Sequence, residues 1–205
     1  MKKSLLLLAL MVFSLAGFAQ KGQRMDKDQN LTWLGLDFTH LKFIGTAAQW
    51  KDAGDISNAE LRNKYFPGWN DLVANERDRY DIAKASGFAD VTYKPEVANS
   101  ANSTGSKTNY FTDDAGDFQM MTEMDVRKVV GQYNYKGATG TGLIFIVEGM
   151  DKGRDAASMW VTFVDIGNKQ VLATRRYVGK SGGIGFRNYW AKAILNVLKD
   201  MKGDF

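Results

Sequence analysis

The residues from 169 to 192 include Lys169, Arg175, Arg176, Lys180, Arg187 and Lys192 and not one acid. At the centre of this run stands Gly179-Lys180-Ser181-Gly182-Gly183-Ile184-Gly185-Phe186-Arg187. A glycine-rich loop between a strand and a helix lets backbone amides approach an anion closely. The helix start that follows adds unpaired N–H groups and a partial positive charge. Arg176, Gly179, Lys180, Ser181, Gly182 and Arg187 are therefore the candidate ligand-binding residues, for a phosphate, a carboxylate or an acidic partner. The fragment Gly179-Lys180-Ser181 is not a nucleotide P-loop, because the position that must hold the first glycine holds Thr174. A second reading stays open, in which the glycines only turn the chain from a sheet edge onto a helix and the cations keep that edge from pairing with other chains.

Other chemistry is narrowly bounded. The chain has no cysteine and a single histidine, His40. Disulfides, thiolate zinc sites, iron–sulfur clusters and cysteine nucleophiles are excluded, and any histidine-centred site must use that one residue. Asp37 and His40 fall on opposite faces if both belong to one regular strand, which argues against a base and its orienting acid there. His40 then reads as a hydrogen-bonded boundary residue closing an apolar face. Asp113, Asp114 and Asp117 around Gly116, and Asp151 and Asp155 around Gly153, lack the alternating spacing that wraps a calcium ion and read as turns. No metal or other cofactor is expected. Residues 112–125 carry five acids and no base, a charge complement to residues 169–192. Residues 137–142, GATGTG, precede a strand instead of a helix, so they do not make a dinucleotide loop. Of the five tryptophans, Trp69 and Trp190 fall on core faces, and Trp50 in the segment 46–54 is the candidate for an exposed contact.

These side chains must be positioned by a chain of 205 residues, 44% hydrophobic and 24% charged. One domain with a substantial core suits that length and composition. Lys2 and Lys3, an apolar run over 5–13 and the small residues Gly17 and Ala19 read as a signal peptide over 1–19, cleaved after Ala19. No segment has the length of a membrane-spanning helix, and no cysteine is present for lipid attachment. Lys2 and Lys3 are two of 27 basic residues, so cleavage leaves 25 against 23 acids, a formal charge of about +2. So small an excess, with export, excludes nucleic acid as a partner.

Residues 20–30 are polar and unpatterned and read as a tether to a single globular domain over 31–205. Residues 32–44 alternate, with Leu34, Leu36 and Phe38 on one face, and give the first strand. Ser57 and Glu60 form a capping box that starts a helix, which Pro67-Gly68 breaks or kinks before the apolar spacing resumes to Gly87. Residues 90–97 give an edge strand limited by Pro95. Residues 99–109, NSANSTGSKTN, read as a flexible loop. Thr122 and Asp125 cap a helix ending near Gly131. Strands follow over 143–148, 159–166 and 171–178, the last two joined by a tight turn over 167–170. Trp190, Ile194, Val197, Leu198 and Met201 line one side of a closing helix. The fold class is α+β: a single domain with a mixed sheet of about five strands, helices packed on it, and the order β-α-α-β-α-β-β-β-α.

The run over 159–172 (MWVTFVDIGNKQVL), followed by Gly179 and a closing helix, resembles the strand–turn–strand–helix end of small periplasmic modules of the curli-secretion lipoprotein type. Trp33-Leu34-Gly35-Leu36-Asp37-Phe38-Thr39 resembles the opening of secreted bacterial envelope proteins of similar length. The resemblance implies an envelope-associated module without catalysis and assigns no catalytic residue. The chain departs from the lipoprotein pattern in having no anchoring cysteine. A non-enzymatic binding or assembly module, periplasmic or secreted, is therefore expected, with an envelope protein or an anionic envelope component as its partner. The alternatives are a hydrolase built on carboxylates or on His40 with Ser181, and a structural subunit of a homo-oligomer.

Overall fold

The computed structural model describes residues 25–45, 56–104 and 109–205. The signal-peptide segment 1–19, the start of the tether, and Trp50 with the whole of the segment 46–54 lie outside the described residues.

A seven-stranded mixed sheet forms the middle layer. Strand β5 (Thr141–Asp151) is its spine. On one edge of β5 run two short parallel strands in succession, β1 (Leu31–Asp37) and β2 (Lys42–Ile44), with Asp37 opposite Ile146 and Lys42 opposite Gly149. Outside them lie β3 (Val91–Tyr93), parallel to β1, and β4 (Phe111–Thr112), parallel to β2. On the other edge, β6 (Ala156–Asp165) and β7 (Gln170–Lys180) continue antiparallel. The turn predicted over 167–170 makes that hairpin, with Lys169 at φ +55°.

Both faces are covered, which is why β5 and β6 are buried almost throughout. One face carries α2 (Phe66–Asn75), α3 (Ile82–Ser86) and α6 (Phe186–Asp200), packed on Trp33, Phe145, Val161 and Phe163, with the single, largely exposed turn α1 (Asn58–Glu60) preceding α2. The other carries α4 (Glu96–Thr104) and α5 (Glu123–Gln132), packed on Leu34, Ile144, Ile146 and Val164. A 3-10 turn over Ala115–Gln119 leads into α5.

Both capping boxes form, Ser57 with Glu60 and Thr122 with Asp125. Pro67 does not break its helix. A π-helical segment, Leu61–Tyr65, carries the chain from α1 into α2, and the proline occupies the first turn of α2. The wider turn accommodates a residue that has no N–H for the preceding carbonyl.

Three expectations are corrected. Leu34, Leu36 and Phe38 do not share a face. Pairing with β5 shifts register between Trp33 and Gly35, and Gly35 takes φ +107°, so Leu34 joins the α4–α5 side and Leu36 and Phe38 the other. The first strand is also not continuous, since residues 38–41 leave it. The polar run 99–109 is not a loop throughout: its first half lies in α4, with Asn102 buried, while 105–108 lie outside the described residues. Its tertiary contacts override its weak helix propensity. The described end of the tether is tied down, Lys27 Nζ donating to the Phe205 carbonyl at 2.7 Å.

Candidate functional site

The break between β1 and β2 opens a cleft of about 670 Å³. Its base is Asp37, Thr39 and His40, one wall is Val97, Ser100, Ala101 and Thr104 of α4, and the other is Val129, Gln132, Tyr133 and Asn134 at the end of α5. The α4 residues recur at i, i+3, i+4 and i+7, one face of a helix. Their side chains, Ser100, Ala101 and Thr104 among them, are too small to fill the space between α4 and α5. That spacing was the signal available in the sequence, hidden by the loop-like composition. The site lies at the carboxyl end of a parallel strand, where open sheets of this kind place ligand crevices.

Asp37 is fully buried. Its Oδ1 accepts the Thr39 N–H at 2.7 Å and its Oδ2 accepts the Tyr133 hydroxyl. Burial pushes the Tyr133 phenol well above its ordinary range, and the Asp37 charge and hydrogen bond push it further in the same direction. Tyr133 therefore stays protonated and fixes the carboxylate. His40 is exposed, because β1 ends at Asp37 and strand alternation no longer applies. Asp37 and His40 thus line one cleft despite their sequence parity.

The six residues singled out near the carboxyl end do not converge. Arg176 leans onto the α5 side, where Nε donates to Glu148 Oε1 at 2.7 Å, Nη2 donates to the Met121 carbonyl, and the guanidinium lies 4.6 Å from the Trp160 ring centroid. Glu148 is fully buried and also accepts from Ser158 Oγ at 2.8 Å and from the Met121 N–H at 3.0 Å. The neighbouring Arg175 points to the opposite face and pairs with Asp204 at 2.8 Å. Gly179 lies against α6, where a Cβ would stand 2.9 Å from Val197 Cγ2. Its lack of a side chain serves packing. Ser181 N–H donates to the Asp155 carbonyl at 2.8 Å and Gly182 N–H to the Tyr189 carbonyl at 3.1 Å, which fixes the start of the loop. Lys180 and Arg187 are exposed at its two ends.

His40 and Ser181 belong to different places, one in the cleft and the other beside Asp155. Among the described residues no ion pair joins the acidic run 112–125 to the basic run 169–192. Asp114 instead caps the 3-10 turn, and Asp151 caps the turn that follows β5. No group of three or more His, Asp or Glu that could hold a metal ion occurs among the described residues, and no helix among them is long and apolar enough to cross a membrane.

No family model matches the chain, and no curated protein matches it in sequence. Among solved structures, a dodecamer of PelC from Paraburkholderia phytofirmans is similar over 89% of this chain and 95% of its own, at 13% identity and a TM-score of 0.34. A likeness at that score carries no argument about fold or function, so the site rests on its own geometry.

Proposed function

We propose that the chain is a non-enzymatic exported binding module of the envelope whose cleft takes a neutral, hydroxyl-rich ligand of the saccharide class. The observation that carries this reading is the lining itself. Thr39, Ser100, Thr104, Gln132 and Asn134 offer uncharged donors and acceptors around the buried Asp37–Tyr133 pair, and among the described residues no Lys or Arg lines the cleft. Hydroxyl and amide groups match sugar hydroxyls one for one, whereas a phosphate or carboxylate would meet Asp37 with no Lys or Arg among the described lining residues to offset it. A cleft of this size falls within the roughly 300–1,000 Å³ of small-ligand sites. The leader-like segment 1–19 supports export.

A hydrolytic reading has one observation in its favour, the placing of Asp37 and His40 in the same cleft. Against it, both Asp37 oxygens are already engaged by Thr39 and Tyr133, and among the described residues no second carboxylate lines the cleft. Acid–base cleavage of a glycosidic bond needs two carboxyl groups.

Calorimetric titration with neutral mono- and oligosaccharides tests the binding reading. We expect saturable binding by the native chain and a loss of more than about tenfold in Ala101→Phe, which fills the cleft from the α4 wall. Absence of binding by every neutral saccharide, or full binding by Ala101→Phe, overturns it. Turnover of a bound saccharide that His40→Ala abolishes would establish the hydrolase instead.

A further inference from the structure

Beyond the cleft, the glycine loop after β7 presents an apolar tip with exposed cations at its base. Gly182, Gly183 and Gly185 hold φ +151°, +108° and +80°, conformations that only glycine adopts freely. They lift Ile184 clear of the body, leaving it 93% exposed, the most exposed large apolar side chain among the described residues. Nothing lies within 4 Å of where a Cβ on Gly183 or Gly185 would stand. The base of the loop is fixed all the same, by the bonds of Ser181 and Gly182 to Asp155 and Tyr189.

Lys180 and Arg187 stand at the two ends of the loop and Lys192 beside it, all exposed; Lys192 Nζ lies 3.5 Å from the Cβ position of Gly182, and Arg187 Nε lies 3.9 Å from that of Gly68 on α2. None of the three makes an ion pair among the described residues. The acid beside the loop, Asp155, is held by Lys152 at 3.0 Å and by the Tyr189 hydroxyl, so it does not neutralise them.

We propose that this loop is a peripheral membrane anchor, docking on a bilayer surface that contains anionic lipid. The three cations fit anionic headgroups, whose attraction for basic side chains acts within a Debye length of the surface. The isoleucine fits the acyl boundary just beneath, a few ångströms below the headgroups. A soluble polyanion would engage the cations and leave Ile184 in water, so the bilayer accounts for both features at once.

Vesicle flotation with the full chain tests the proposal. Native protein should float with phosphatidylglycerol-containing vesicles at low salt, and much less with phosphatidylcholine alone or at high salt. The triple variant Lys180→Gln, Arg187→Gln, Lys192→Gln should lose about a hundredfold, and Ile184→Ser about tenfold. Ile184→Trp should shift its emission to the blue on binding and be quenched by brominated acyl chains. All the altered side chains are exposed, and circular dichroism verifies the fold. No flotation at low salt overturns the proposal. Native-like flotation of Ile184→Ser, with loss only in the charge variant, also overturns it, because the cations would then hold the headgroups as they would any polyanion and Ile184 would anchor nothing.

Discussion

The carboxamide of Asn102 pairs with the backbone of Phe38 in the way a neighbouring strand would. Its Oδ1 accepts the Phe38 N–H at 2.7 Å, and its Nδ2 donates to the Leu36 carbonyl at 2.9 Å. Asn70 repeats the arrangement one residue pair earlier, accepting the Leu36 N–H at 2.7 Å and donating to the same carbonyl at 3.0 Å. The reason lies in the length of β3. It pairs with Leu31 to Trp33 only, so the outer edge of β1 beyond that point has no strand to satisfy it. Helices α2 and α4 supply side-chain amides in its place. Asp37 sits between the two backbone units so held, which fixes the cleft base and the α4 wall together.

Replacing Asn102 with Leu should therefore cost more than an ordinary buried polar substitution. The variant orphans the Phe38 N–H and removes one of two donors to Leu36, and each buried unsatisfied group costs about 1–3 kcal/mol. We expect a loss near 3 kcal/mol in urea unfolding, with weakened ligand binding because α4 no longer has a fixed distance from β1. A change within a few tenths of a kcal/mol would mean that water replaces the amide.

Alkaline stability should fall because of Tyr133. Its folded-state phenol is raised well above the ordinary value of 10.0, mainly by burial and then by Asp37. Above about pH 10 the unfolded chain releases this proton and the folded chain keeps it, so the unfolded state binds fewer protons. The contribution is complete below pH 10 and is lost as pH rises beyond it, at roughly 1.4 kcal/mol per pH unit while only the unfolded phenol ionises. Tyr135 and Tyr177 are displaced in the same direction, chiefly by burial, and steepen the decline. Tyr133→Phe should flatten the slope of unfolding free energy against pH by one group, and phenolate absorbance in the native protein should lag behind free tyrosine.

The parts of this fold that follow local rules were legible in the residues. Ser57 with Glu60 and Thr122 with Asp125 are reciprocal hydrogen bonds within four residues, and the β6–β7 hairpin is set by its own turn. The cleft depends on relations no short window contains. Residues 99–104 are helical because Asn102 and Asn99 meet Leu36 and Asn70 across the fold, not because of their own propensity. The bulge at Gly35 arises where Asn70 and Ala98 press on the strand, a Cβ there standing 2.6 Å and 2.9 Å from them. Strand parity then misassigns Leu34 and His40, since alternation holds only while register is unbroken. The basic run read as one surface for a similar reason, although adjacent Arg175 and Arg176 must face opposite ways on β7.

Gly179→Ala should destabilise the fold without touching any ligand. The added methyl would meet the Ala193 backbone of α6, 2.9 Å from its carbonyl carbon and 2.9 Å from Val197 Cγ2. Backbone cannot rotate away as a side chain can, so a cost of about 1–3 kcal/mol or more is expected. Thermal unfolding in the presence and absence of vesicles separates this from a binding role. The melting temperature should drop equally in both, and the folded fraction should still float.

Arg176 offers the sharpest contrast with the loop cations, because its charge is already committed. Glu148 is fully buried, and Arg176 is the cation that neutralises it, while Ser158 and the Met121 N–H complete its hydrogen bonds. Truncating the arginine leaves an uncompensated charge in the interior, and breaking a buried pair in this way costs about 3–5 kcal/mol; the partial exposure of Arg176 places the expectation at the lower end, near 3 kcal/mol. Arg176→Met should thus lower the urea midpoint strongly, and Glu148→Gln in the same chain should recover part of the loss, since the remaining amide needs no counter-charge. The pair should respond little to salt, being screened less than surface charges. A charge variant at Arg176 that keeps full stability yet abolishes vesicle flotation would return this residue to the docking surface and remove it from the core that joins β5, β7 and the approach to α5.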